Sequence, residues 1–312
     1  MKRAIRTIIV ACMLSLLLQG ECRSACAQGA SFLNINADAR TSACGMASIY
    51  GTGSVNLLNL NPAGIAGICE RELTLSHCSW ISEMNYEFMG MAGPVELSIG
   101  GKTFSGAGGV TLTYLSAGSI RGRDNYGNLE AGYSAYDLAL GLAYGQELTG
   151  RLRAGMNFKM ILESIDAENA RGFAIDLGGI YETSVDGLNV GLSVRNFGPK
   201  MKFVEEYSLP LSIAAGATYR TGDFILGTNL VYQPLQGLLD ASFGGEFLYM
   251  KTFNLRLGYE TEMLADMPLS NNPLSGLTCG AGLTLDKYGL DYAFGSMGEL
   301  GFTHRVSFTS RF

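Results

Sequence analysis

The chain has 312 residues, with 28 acidic against 22 basic side chains, a formal net charge of −6, and only two histidines. An acidic chain presents no basic face to phosphate, which excludes nucleic acid as a partner. No CxxC or Cys/His ligand spacing occurs, so the sequence gives no basis for a metal or any other cofactor.

In chain order, the first feature is a start that predicts a secretory signal over residues 1–27. Lys2, Arg3 and Arg6 precede an apolar run from Ile8 to Leu18, and Ala25-Cys26-Ala27 offers small residues for cleavage. Lipidation is disfavoured, because Gln19 stands three before Cys22 and Arg23 three before Cys26. The run is too short for a membrane helix, which takes about 20 residues. Removing four of the 22 basic and one of the 28 acidic residues leaves 18 against 27, a net charge of −9. Cys44, Cys69, Cys78 and Cys279 remain, and their spacing fixes no pairing; free thiols and a disulfide are both open.

Residues 28–70 are small, Gly-rich and lightly charged, and they carry "LNLNPAGIAG". Asn61, Pro62, Ala63 and Gly64 predict a turn into a short helix: the residue before proline avoids the α region, Asn caps, and Pro suits the first helical position.

From residue 71 the period becomes two. In "YDLALGLAYGQ", Tyr136, Leu138, Leu140, Leu142 and Tyr144 share one face, while Asp137, Ala139, Gly141, Ala143 and Gly145 share the other. A soluble sandwich would put large polar residues on its second face. Here that face is small, as expected for lipid outside and a crowded interior. Arg153, Asn157, Lys159 and Glu163 alternate with Leu152, Met156, Phe158 and Met160, and the pattern returns at Phe253–Glu260 and Tyr288–Gly295. This is the pattern of an all-β fold, a transmembrane antiparallel β-barrel.

Strands are predicted at 71–79, 86–95, 108–116, 133–145, 151–164, 171–183, 188–196, 209–220, 224–233, 239–249, 253–262, 276–285, 288–295 and 303–312. That gives about 14, with short turns on one side and long loops on the other, except for a long connection at 96–107. "RGRDNYGNLE" is expected to be an external loop. The last strand must pair with the first, because an open edge in lipid leaves backbone groups unpaired at several kcal/mol each. Phe308 and Phe312 at its end suit recognition by barrel-assembly machinery.

A 14-stranded barrel leaves a lumen. Residues 28–70 are therefore predicted to fold inward as a plug, before a barrel of residues 71–312. Arg153, Asn157, Lys159, Glu163, Asp176, Arg195, Glu246, Arg256 and Asp291 are the polar positions expected to face the lumen and hold the plug by charge pairs. "GGKTF" is not a P-loop, since Glu96 occupies the required glycine position five before Gly101 and no helix follows. His77 and His304, in the first and last strands, could meet at barrel closure as a hydrolase dyad; satisfied interface histidines are the simpler account.

Several stretches carry a family resemblance: "ARTSACGMASI", "NPAGIAG", "LSHCSW", "TYLSAGSIRG", "SAYDLALGLAYGQELT", "NFGPKMKF", "LSGLTCGAGL" and "DYAFGSMGELGFTHRVSFTSRF". Together they resemble the PorV/PorQ family of outer-membrane proteins, itself similar to FadL-type long-chain fatty-acid transporters with an N-terminal hatch. Departures fall in the hatch, at Gly45-Met46-Ala47-Ser48-Ile49, at Thr52-Gly53 and at Asn59-Leu60. The resemblance implies a non-enzymatic protein of the outer membrane, in contact with its lipid and acting in transport or in type IX-like secretion of cargo proteins. The alternative it implies is a channel for fatty acids or other hydrophobic small molecules.

Overall fold

The computed structural model describes residues 28–47, 51, 53–122, 126, 132–250, 252–261 and 274–312, with the backbone alone at Leu97, Ile99, Lys102 and Ser119. The expected signal sequence, part of the 121–130 loop and residues Ile49, Tyr50 and Thr52 lie outside the described residues. Sixteen strands follow one another: β1 Glu72–Ser79, β2 Asn85–Ile99, β3 Lys102–Ile120, β4 Tyr133–Thr149, β5 Leu152–Ile165, β6 Glu168–Glu182, β7 Leu188–Phe197, β8 Met201–Lys202, β9 Glu206–Tyr207, β10 Ser212–Thr221, β11 Phe224–Gln233, β12 Leu238–Tyr249, β13 Phe253–Glu260, β14 Leu277–Leu285, β15 Tyr288–Ser296 and β16 Phe302–Arg311. All but β8 and β9 form one closed barrel of 14 strands, antiparallel throughout, and β8–β9 is a separate small hairpin in the β7–β10 connection.

The barrel closes between β1 and β16, from Glu72 opposite Arg311 to Ser79 opposite His304. Closure satisfies the edge groups of both strands. The backbones of Arg71 and Phe312 exchange hydrogen bonds at 3.2 and 2.9 Å and extend the seam by one pair.

Alternation decides which side chains face out. On β5, Met156, Phe158 and Met160 are exposed while Asn157 and Lys159 are buried; on β16, Val306 and Phe308 are exposed while Arg305, Ser307 and Thr309 are buried. Leu142 at 64%, Leu255 at 58% and Leu257 at 60% exposure belong to an apolar outer wall far larger than the patches a water-soluble monomer tolerates. Exposed aromatics sit toward both rims: Tyr219, Tyr249 and Phe253 near the short turns, Phe197, Tyr232 and Tyr259 near the long loops.

One expectation is corrected. The 96–107 connection is not a loop: β2 and β3 continue as a hairpin joined by Gly100 and Gly101, with φ of 59° and 77°. Two consecutive positive φ values are the requirement of a two-residue hairpin turn, which glycine meets without strain. The polar pairs Glu96–Ser105 and Ser98–Thr103 extend it, and the period of two continues in the sequence, with Val95, Leu97 and Ile99 set against Glu96 and Ser98. The β2–β3 connection thus joins the short turns at 150–151, 222–223 and 286–287, opposite the long connections at 121–132, 198–211 and 261–276.

Candidate functional site: the barrel interior

The described residues between 28 and 70 contact inward-facing side chains of the wall. At the long-loop end Gln28 forms a parallel bridge to Ser208, and Gly29 N donates to Ser208 O at 3.1 Å. At the other end the segment enters β1 at Glu72. Between them Phe32, Leu33, Ala37, Val55, Leu58 and Ile65 are buried.

Near the long loops the contact is apolar. Phe32, Leu33 and Ile35 pack with Tyr86, Phe88, Ile161, Met201 and Leu209, and Trp80, Phe203 and Tyr207 lie against this cluster. The Tyr86 hydroxyl donates to Ile35 O at 3.1 Å, and Ala30 N donates to Glu163 Oε1 at 3.0 Å. The other Glu163 oxygen accepts from the Tyr207 hydroxyl at 2.5 Å.

Farther along, Ala39–Ala43 forms one short helix. Asp38 caps it, accepting from Thr41 N at 3.0 Å, and Ala39 N donates to Ser307 Oγ of the wall at 2.8 Å. Burial pushes the Asp38 carboxyl up, against the pull of its Thr41 hydrogen bonds. Arg40 pairs with Glu246 at 2.9 Å, Glu246 pairs with Arg256 at 3.1 Å, and Arg256 pairs with Asp291 at 2.7 Å. The Glu246 carboxylate pushes the Arg40 guanidinium further into its charged form. Beyond the helix, burial pushes the Cys44 thiol up to about 12, which keeps it protonated.

The turn quoted above lies nearest the short-turn end. Asn61 is extended at φ −153°, its Oδ1 accepts from Ala63 N at 3.1 Å, and Pro62–Gly67 forms a 3-10 helix. Two facing glycines of the wall, Gly155 on β5 and Gly178 on β6, receive it. A Cβ at Gly155 would stand 2.4 Å from the Pro62 carbonyl carbon, and one at Gly178 would stand 2.0 Å from Asn61 Oδ1. Gly244 and Gly258, paired across β12–β13, play the same part for Cys44 and Gly45, with Cβ distances of 2.0 and 2.2 Å.

Of the polar positions singled out in the sequence, Glu246 makes the ion pair to the segment and Glu163 accepts its backbone at Ala30. The others bond chiefly within the wall. Lys159 pairs with Asp176 at 2.7 Å and Asn157 donates to Asp176 at 3.1 Å; Arg195 donates to Ser212 at 3.1 Å. Arg153 lies 3.6 and 3.8 Å from Glu147 and Glu182. Arg256 and Asp291 back up Glu246. The reason is composition, for the segment offers only Asp38, Arg40 and Glu70 as charged side chains. Among the described residues one ion pair, Arg40–Glu246, joins these wall positions to the segment.

Residues not singled out make up the difference. Glu72, 2% exposed, accepts from Arg311 Nε at 2.9 Å, from Ser54 Oγ at 2.8 Å and from Val55 N at 2.9 Å. Thr278 donates to Ala43 O at 3.2 Å, and Arg305 donates to Ser42 Oγ. Their inward phase was visible in the strand alternation, but hydroxyl contacts to backbone leave no sequence signal.

Phe308 and Phe312 point outward and are exposed. The two histidines also face out and do not meet: His77 Nδ1 bonds Glu87 at 2.6 Å, and His304 Nδ1 bonds the Tyr292 hydroxyl at 2.8 Å. The four described cysteines are free thiols. Beside Arg40 and Glu246, on the short-turn side, lies a cavity of about 450 Å³ bounded also by Arg220, Asp223, Lys287 and Arg311. A second, of about 200 Å³, adjoins it at Arg40, Ser54 and Asn56.

No protein-family model and no curated protein matches the chain. Solved structures do. CymD, a monoaromatic hydrocarbon channel, superposes with a TM-score of 0.60 at 13% identity over 89% of this chain and 98% of that one. The toluene transporter TodX of Pseudomonas putida gives 0.58 at 13% identity, over 89% and 97%. A TodX deltaS2S3 mutant gives 0.59 at 12% identity, over 88% and 99%. The chain shares their barrel fold.

Proposed function

We propose that this chain is an outer-membrane channel for small hydrophobic molecules, in which residues 28–70 form a plug inside a barrel of residues 71–312. The observation that carries the reading is the apolar long-loop end of the interior, where Phe32 and Leu33 of the segment pack with Tyr86, Phe88, Ile161 and Met201. These side chains are buried, so an apolar solute arriving from outside reaches them by parting the segment from the wall, and Asn61-Pro62 blocks its path farther in. The exposed Leu, Met and Phe band supports residence in lipid, since only closed barrels or helices satisfy their backbones there. The CymD and TodX likeness supports the choice of solute over the secretion of cargo proteins. Phe308 and Phe312 serve barrel assembly in this reading, and the inward polar residues brace the wall against the plug.

The test is uptake of radiolabelled toluene by cells with and without the protein. Loss of uptake on deletion, restored by the full chain, is the expected result. Unchanged uptake accompanied by loss of surface proteins would overturn the channel in favour of secretion.

A further inference from the structure

A small cavity of about 60 Å³ lies between residues 36–46 of the N-terminal segment and strands β13 to β16. Three of its lining side chains carry atoms able to donate a hydrogen bond that have no partner among the described residues: Asn36 Nδ2, Ser296 Oγ, and both Nε and Nη2 of Arg305. These residues are 6%, 3% and 5% exposed. Unpartnered polar atoms at such depth are rare, because each forfeits its hydration. Three converging on one cavity form a pattern.

The cationic member decides the chemistry. Arg305 donates through Nη1 to Ser42 Oγ, and its guanidinium carbon stands 5.9 Å from the Tyr86 ring centroid. Across the β1–β16 seam it faces a thiol, Cys78, rather than an acid. Arg256, by contrast, has two carboxylates within 4 Å and Lys159 has one. Arg305 forms no ion pair among the described residues. The carboxyls of Asp38 and Glu260 act on it from a distance, but neither lies within 4 Å, and its free Nε and Nη2 lack a negative acceptor.

We infer that this cavity binds a small monovalent anion of chloride size, held by Arg305 and Ser296 of the wall and Asn36 of the segment. The volume suits it, being a few times the 10–15 Å³ of probe-occupied space that one water needs. Met46, Trp80 and Phe294 line the same cavity and lower the local dielectric, which strengthens the guanidinium–anion attraction. The carboxyl of Glu260 also lines it. It opposes the anion when ionised, which gives the site a built-in control. The anion ties the segment to the wall whatever solute the lumen carries, so the inference stands apart from the transport reading.

The experiment uses the full chain purified in detergent micelles, melted in sodium chloride and in sodium gluconate at equal ionic strength, together with crystals soaked in sodium bromide. A bromide anomalous peak beside Arg305 and a melting temperature that rises with chloride to saturation are expected. Arg305→Gln should abolish both. Ser296→Ala, which removes one hydroxyl and keeps the charge, should weaken chloride binding several-fold and serves if the arginine variant does not fold. Glu260→Gln should tighten binding by at least about fivefold, because a like charge leaves the cavity. The proposal is overturned if bromide is absent from the cavity, if the two salts give one melting curve, or if Glu260→Gln abolishes the chloride effect. That last result would mean ordered water linking Glu260 to Arg305.

Discussion

The Asn61–Pro62 turn and the Ala39–Ala43 helix rest on the wall by the same steric device, a pair of facing glycines, yet they are held by different forces. Beside the turn lie the buried apolar residues Val55, Leu58, Ile65, Ile68, Ala92, Ala107 and Ala143, while Arg153, two residues before Gly155 on β5, pairs with Glu147 and Glu182 of the wall. Around the helix they are Arg40, Glu246, Arg256 and Asp291, beside cavities of about 450 and 200 Å³. Shape alone holds position where water is excluded; charge holds it where water reaches. Salt and charge substitutions should therefore loosen the helix while leaving the turn in place, since screening acts on pairs near solvent far more than on packed apolar contacts.

The largest effect is expected from Gly155→Leu. Its Cβ alone meets backbone of Pro62 and Ala63, at 2.4 and 2.5 Å, and backbone cannot swing aside as a side-chain tip can. Overpacking of this kind should cost about 3 kcal/mol or more and unseat the turn. Single-channel conductance in planar bilayers should rise, and the segment should become cleavable by protease. Unchanged conductance and cleavage would show that the glycine pair does not position the turn.

Glu246→Gln should come next. It leaves Arg256, 5% exposed, with Asp291 as its remaining carboxylate, and removes the acceptor of Arg40. Breaking a buried pair in this way costs about 3 kcal/mol. The dependence of the wild-type melting curve on sodium gluconate, which brings no chloride, should largely vanish in the variant. If it persists, the helix is not held by charge and the contrast with the turn fails.

The smallest effect concerns Asp38. Burial raises its folded-state pKa above the unfolded value of 3.8. The folded state therefore binds the proton more tightly: the stability this residue contributes is full below pH 3.8 and is lost as pH rises through the folded value. Asn caps a helix as well as Asp. Asp38→Asn should accordingly keep the helix and flatten the decline in melting temperature above pH 4, and an unaltered pH profile would assign that decline to other groups.

The sequence made the barrel legible wherever one face of a strand meets an apolar surround and the other meets packed chain, because both constraints then act at period two. "YDLALGLAYGQ" became β4 for that reason. The tip of the β2–β3 hairpin carries the same alternation in Val95-Glu96-Leu97-Ser98-Ile99, with Gly100-Gly101 as its turn, although the expected strand stops at 95. Within the interior, Glu246 and Glu163 were visible as charges in an inward phase. What could not be read was which partner each would choose: Lys159 meets Asp176 from the neighbouring strand, a matter of register. Arg305 had the same inward phase as Arg311, and nothing in the chain distinguishes a guanidinium with a carboxylate from one without.

The seam between β1 and β16 couples two events that other barrels can keep separate. Glu72 stands on the first strand, and its cation, Arg311, arrives with the last. The same carboxylate receives Ser54 and Val55 from the segment. Until the circumference is complete, that acid lacks Arg311, and Ser54 and Val55 lack the paired carboxylate they donate to. Fastening of Ser54 and Val55 to Glu72 is thus tied to the joining of the final staves.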